Sequence, residues 1–533
     1  MPVKVKSHKT LIKYFSLPKH NPDSMKRLIK IALICSLAIP TLSIAQGKKA
    51  ETVADKATLS TLVKAVEAAP DSLTAHDAYI KAAGVNNPAV VAQYDKWMKK
   101  FPKSAIVPYA LAKAYLNHES PKAKPYLLKV VAIDTNFTEA WGGLWTDAQR
   151  WGDFKGGDEY LKKATESDPQ NASYAFYYSS SFRDKDPKTY HDLTMGVAKR
   201  FPESDRGAQA LYWYATRSKD IADKMKYYEL LRTSYSPAKF NWSASGMTSY
   251  FDLLLAEDSK KALELAQDMA KIEKQEKDWT NLKLQAQRVN DAKALMKEKK
   301  SAEALALLAQ VKLPRYYSFN KEILVLKAEA YALAGNTNAA YDSLIVSFAK
   351  QPGVKLKLVI NGYGVKLGKN EGQVNTDILK YINSNAQTAT PFTLKNYLMP
   401  GQTSLSDYKG KVVLLTYWFP GCGPCRGEFP HFENVVRKFK GKDFSYVGIN
   451  IVSDQNEYVV PFMKGSGYSF TPLEDIEGRQ KGNLDNRGAA PANFIIDKEG
   501  RVVFSNFRTD GDNEDELELM INLMLQRKGS IVK

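Results

Sequence analysis

Two cysteines three positions apart, Cys422 and Cys425, are the residues of this 533-residue chain whose types and spacing best suit covalent chemistry. A thiol exchanges disulfides only as the thiolate. Its ordinary pKa is about 8.5, and a C-x-x-C at a helix N-terminus brings it to about 7 or lower, because unpaired N–H groups and the positive end of the helix dipole favour the anion. The two-residue spacing puts the second sulfur within bonding reach of the first. Cys422, at the exposed start, is the expected nucleophile. Cys425, one turn in, is the expected resolving thiol. The pair could instead be half of a zinc site, but no second cysteine pair exists and His431 is the only histidine near it in sequence. His431 itself reads as a helix-surface residue rather than a general base. The acidic run from Asp510 to Glu516 hints at calcium but lacks the EF-hand offsets, and acids at a helix N-terminus explain it. No metal and no other cofactor is expected.

These cysteines need a strand and a helix to hold them. Lys411 to Trp418 is a short apolar, β-branched run typical of a buried strand, and it leads directly into Phe419-Pro420-Gly421-Cys422. Phe444–Ile451 reads as a second strand. Asn493–Asp497 and Val502–Asn506 read as two more, joined by a hairpin turn at Lys498-Glu499-Gly500-Arg501. Helices are expected at Gly423–Phe439, Glu457–Lys464 and Asn513–Lys528, with Pro430 placed to kink the first. The β-α-β-α-β-β-α order predicts a mixed sheet covered by helices on both faces.

In residue detail this region resembles the TlpA/ResA-type branch of the thioredoxin superfamily, the extracytoplasmic thiol–disulfide oxidoreductases. The matching residues are Pro391-Phe392-Thr393-Leu394, the stretch Leu405–Leu414, Trp418, Cys422–Cys425, Glu428, Pro430, and Pro491 followed by Phe494-Ile495-Ile496-Asp497. The resemblance implies a redox disulfide between Cys422 and Cys425, and Glu428 as a carboxylate that handles the thiol proton. Without it, Glu428 reads as a solvated first-turn helix acid. The resemblance also implies a substrate-binding surface at Trp418 and at a cis-proline loop, Ala490-Pro491. Two positions depart from the pattern. Gly421 stands where the family usually has Trp directly before the first cysteine. Thr416 occupies the strand position of a buried Asp in thioredoxins, so Glu428 or water would have to serve as the base. The Gly423-Pro424 dipeptide is the one found in reducing thioredoxins.

The rest of the chain reads differently. From Met25 a basic start (Lys26, Arg27, Lys30), an apolar run and Ser43-Ile44-Ala45 have the layout of a signal peptide, with residues 1–45 removed by cleavage after Ala45. That layout makes Met25 a candidate true start. The apolar run is shorter than the roughly 20 residues of a spanning helix. Cys35 lies in that run behind Ile34, where a lipobox wants a small residue. Without this segment the formal charge falls from +18 to +11, and Cys422 and Cys425 are the only cysteines left. A structural disulfide framework is then excluded. The remaining basic charge is spread along helices with no Arg-rich cluster, which argues against nucleic-acid binding.

Residues 46–382 read as helical, with turn punctuation at intervals of roughly 30–40 residues. Trp141, Leu144 and Ala148, a turn at Gly152, then Gly157, Leu161 and Ala164 resemble a tetratricopeptide repeat, as do Ala328, Tyr331, Gly335, Ala340 and Leu344. Residues 383–391 read as a linker, and residues 389–533 as the thioredoxin-like domain. The expected fold is therefore an all-α helical-repeat solenoid followed by an α/β thioredoxin-like domain with a mixed central sheet flanked by helices. The expected function is an exported thiol–disulfide oxidoreductase in the periplasm or cell envelope of a bacterium. It would reduce disulfides of protein substrates and be recharged by an upstream redox partner, with peptide or protein binding by the repeats. The competing reading is an interaction scaffold whose thioredoxin-like part is a redox-responsive or docking module.

Overall fold

The computed structural model describes residues 53–272, 275–314 and 316–526. The expected signal peptide, with Met25, Cys35 and Ala45, lies outside the described residues. Nineteen helices among the described residues fill the stretch from Lys56 to Asn385. Many begin with a short polar side chain that accepts from the first free backbone N–H groups: Asp55 from Thr58, Ser72 from Ala75, Asp153 from Gly156 and Asn370 from Gln373. Of these starts, only the one beside the turn at Gly152 coincides with a turn read from the sequence. In the unit singled out there, Leu144 and Ala148 lie on helix Thr138–Trp151, and Leu161 and Ala164 on helix Phe154–Ser167. All four are buried between neighbouring helices.

Eight strands follow among the described residues: β1 (Gln387–Thr388), β2 (Thr393–Lys395), β3 (Gln402–Ser404), β4 (Val412–Trp418), β5 (Phe444–Asn450), β6 (Thr471–Glu474), β7 (Ala492–Ile496) and β8 (Arg501–Ser505). Six form a mixed sheet in the order β1-β8-β7-β4-β5-β6, and β2 pairs with β3 separately. β4 runs parallel to β5 and antiparallel to β7, so every residue of β4 is buried. That central position accounts for its unbroken apolar run. β6 escapes the sequence pattern because it is four residues long and contains Pro472.

The expectation of helices on both faces is not met. Helices Gly423–Val436, Asn456–Ser466 and Glu514–Gln526 share the face that carries Leu414, Trp418 and Ile495. The opposite face, with Val413, Leu415 and Tyr417, is closed by Leu394 of β2, Leu405 and Leu484. The reason is handedness. β4→β5 and β5→β6 are successive parallel crossovers in one direction, and right-handed connections put both helices on the same side.

The helical array and the sheet form one unit from Val53 onward. Leu344, Phe348 and Ile360 of the array belong to the same apolar cluster as Leu414, Phe432 and Ile521. The expected linker holds the end of helix Glu371–Asn385 and then β1, paired with β8. A second junction forms where helix Thr138–Trp151 meets helix Asn456–Ser466. There Phe154 packs edge-on against Phe462, and Trp151 against Tyr458. Gly152 and Gly465 let the two backbones touch; a Cβ on Gly152 would lie 2.7 Å from the Phe462 carbonyl oxygen.

Inside this junction Tyr458 donates to the Asp147 carboxylate at 2.7 Å. Asp147 is 1% exposed. Burial lifts its pKa to about 6, against the opposing pull of Tyr458, Lys124, Arg150 and Trp151. Its folded pKa lies above the unfolded value of 3.8, so the stability tied to this group is greatest below that value and is lost as pH rises through about 6. Asp147→Asn keeps an acceptor for Tyr458 and removes the buried charge. It is expected to stabilise the fold by about 2 kcal/mol at pH 7.5 and by about half as much at pH 5, measured by urea unfolding. An equal change at both pH values would contradict this account.

Candidate redox site

β4 ends at Trp418, and the chain turns through Phe419-Pro420-Gly421, with the Cys422 N–H donating to the Phe419 carbonyl at 2.9 Å. Cys422 is the N-cap of helix Gly423–Val436 and Pro424 lies in its first turn, where a proline forfeits no hydrogen bond. Cys422 and Cys425 are joined as a disulfide, with Cα atoms 5.3 Å apart. The Cys425 N–H donates to Cys422 Sγ at 3.2 Å. A sulfur at this N-cap is thus met by a helix N–H group, the arrangement that stabilises a thiolate. Cys422 is 2% exposed and Cys425 fully buried. Arg426 follows directly, donating to the Pro420 carbonyl at 2.9 Å. Desolvation and the nearby Arg150 lower its pKa to about 10.

Glu428 lies one turn beyond Cys425 and is buried, not solvated. Its Oε1 accepts from Arg508 Nε at 2.6 Å and from the Thr509 N–H at 2.9 Å, and its Oε2 from Asn493 Nδ2 at 3.2 Å. Burial pushes its pKa up, and Arg508, Thr509 and Asn493 hold it back. Asn493 stands opposite Thr416 in the β4–β7 register. The Thr416 hydroxyl and Asn493 Oδ1 are both buried without a hydrogen-bond partner among the described residues. The place of a strand carboxylate is therefore taken by a neutral pair beside one buried glutamate.

The Ala490–Pro491 peptide is cis and half-buried, at the start of β7. Trp418 lies elsewhere than expected. It is fully buried, with its ring packed against Phe429, Phe462 and Phe470, and forms part of the core instead of a surface. It faces inward because β4 is central and Trp418 shares the helix-covered face with Leu414. Pro430 sits within helix Gly423–Val436, which continues past it. His431 pairs with Glu514 at 2.7 Å and is largely buried. Glu516, in the same acidic run, bonds Lys321 of the helical array at 3.2 Å. Asn493, Arg508 and Thr509 were not anticipated. Asn493 alone left a trace, as a polar residue heading an otherwise apolar strand.

A C-x-x-C disulfide at the N-terminus of a helix, fed by the central strand of a mixed sheet, defines a thioredoxin-like thiol–disulfide exchange domain. The Redoxin family model matches residues 384–521. Thiol-disulfide oxidoreductase ResA of Geobacillus kaustophilus is 32% identical over 133 residues, 25% of this chain and 75% of that protein. ResA of Bacillus subtilis is 37% identical over 99 residues, 19% of this chain. The chain spans about half the length of that relative, 54%. A solved structure from Chlorobium tepidum, described as a thiol:disulfide interchange protein DsbE, is 30% identical, covering 26% of this chain and 96% of its own, with a TM-score of 0.24. Through its C-terminal part the chain belongs to the ResA family of thiol–disulfide oxidoreductases.

Arg508→Ala removes the guanidinium but leaves Glu428 buried, so the Glu428 titration is expected to move to higher pH. Carbon-13 NMR of the glutamate carboxyls, with Glu428→Gln to assign the signal, checks it. An unmoved midpoint would show that Arg508 does not influence this carboxylate.

Proposed function

We propose that this protein is an exported reductant of protein disulfides, working in the periplasm or cell envelope of a bacterium. The observation that carries the proposal is the Cys422–Cys425 disulfide at a helix N-terminus with Glu428 buried one turn further on. In the reduced protein the Cys422 thiolate attacks one sulfur of a client disulfide and expels the other as a thiolate. The Cys425 thiolate then attacks Cys422 Sγ, breaking the mixed disulfide and freeing the second client thiol. Two electrons pass to the client, and an upstream dithiol returns them to Cys422–Cys425. Glu428 takes the Cys425 proton as that thiol becomes the attacking anion. The cis-proline loop at Ala490-Pro491 offers backbone to the client beside the sulfurs. Cys422 is 2% exposed, so a client enters only when the neighbouring loop or the helical array shifts.

Residues 46–382 serve as a tetratricopeptide-like arm that binds partners, residues 383–391 as the joint and residues 389–533 as the redox domain, after loss of residues 1–45. No described helix is long and apolar enough to cross a membrane. Cys422→Ala is expected to abolish insulin reduction. Cys425→Ser is expected to accumulate mixed disulfides with clients, seen on non-reducing gels. Full activity of the first variant would end the proposal. Partner capture that resists reducing agent and survives both substitutions would favour the scaffold reading. The direction of exchange is read from the potential: near −270 mV for a reductant, or near −120 mV for an oxidant, on the scale of about 30 mV per tenfold change in equilibrium.

A further inference from the structure

We propose that Glu119 and Gln455 are positioning residues for Cys422, through which the helical array tunes the redox pair. This rests on the reading of Cys422–Cys425 as an exchanging pair. The peptide N–H of Gly421, the residue before Cys422, donates to Gln455 Oε1 at 2.6 Å. Gln455 Nε2 donates to Glu119 Oε2 at 2.6 Å. Glu119 Oε1 in turn accepts from Arg150 Nη2 at 2.8 Å. A continuous line of hydrogen bonds thus joins two residues of the helical array to the backbone beside the nucleophile. A side-chain amide accepts from a peptide N–H and donates to a carboxylate at once, which neither a carboxylate nor an ammonium does. Gln455 is 1% exposed, so water does not replace either bond.

Two independent features point the same way. A Cβ on residue 421 would lie 2.8 Å from Gln455 Nε2. Glycine therefore leaves the amide its place. Glu119 has φ +52, in the left-handed region that favours glycine. It lies just past helix Ile106–Asn117, in a turn where the Ser120 N–H returns to the Tyr115 carbonyl at 2.9 Å. Helices commonly end through such a residue, and glycine is its usual occupant. Glutamate occupies it here, and this turn aims its carboxylate at Arg150 and Gln455.

The effect on the cysteines follows from restraint. The disulfide is already a closed ring, whereas the dithiol is free to move with the loop. Holding the Gly421 peptide restricts the dithiol more than the disulfide and so favours the disulfide. Breaking the line makes the pair easier to reduce.

The full chain is the subject of the test. Gln455→Glu sets one carboxylate against another and breaks the line. Combining it with Glu119→Gln restores it with reversed polarity: the amide at 119 accepts from Arg150 and donates to the carboxylate at 455, which also accepts from Gly421. Two readouts apply: equilibrium with a glutathione buffer, and hydrogen exchange of the Gly421 amide. Gln455→Glu and Glu119→Ala are each expected to shift the equilibrium about threefold or more toward the dithiol and to speed exchange at Gly421. The double variant is expected to recover both values. Unchanged readouts in the single variants, or a double variant that is worse than either single change, would overturn the proposal. Neither readout requires turnover, so inactivity toward insulin would count against the exchange reading alone.

Discussion

A cysteine pair that opens and closes at a helix N-terminus must have that terminus held by something other than its own sulfur–sulfur bond. Here the hold begins with β4, buried along its whole length between β5 and β7. Trp418 fixes the end of the strand by filling the core, and the Ile451 N–H bonds its carbonyl at 3.0 Å. The turn to Cys422 is then three residues long. With the strand end immobile, the helix dipole and its free N–H groups meet the sulfur at a fixed place. Glu428 is set by the same helix and held by three residues that converge on it from β7 and the loop after β8.

The helical array extends this restraint instead of merely adjoining the domain. One of its two junctions falls on helix Asn456–Ser466 and the turn before it, which in sequence lie between β5 and β6. Those contacts mix apolar packing with a buried carboxylate and a run of oriented hydrogen bonds. Apolar packing supplies most of the adhesion. The polar groups demand one register, since a buried donor or acceptor out of place loses its partner.

Much of the thioredoxin-like part was legible because its signals are local. The buried run of β4, the C-x-x-C and the Lys498–Arg501 hairpin turn each announce themselves within a few residues. β6 and β1 did not, being short and lacking alternation. The distribution of helices over the faces failed for a different reason: it depends on crossover handedness and strand order, which the order of elements alone does not fix. The inward turn of Trp418 was masked by its place in the family pattern beside the cysteines. Arg508, Asn493 and Gln455 reach the site across 34 to 80 positions of sequence, and no local spacing marks them. Gly421 was visible as a departure, but the amide it faces belongs to Gln455, 34 residues away.

β1 is two residues long, yet it occupies the outer edge of the six-stranded sheet. Gln387 and Thr388 pair with Val502 and Arg501, and the Ala389 N–H bonds the Gly500 carbonyl at 2.9 Å. An uncovered β8 would present a row of free N–H and C=O groups to any neighbouring molecule. Such an edge is a template for strand addition and self-association. The segment that looks like slack between two halves of the chain is therefore also a guard on the sheet. A redox domain cut free at residue 392 would keep its cysteines and lose its protection against aggregation.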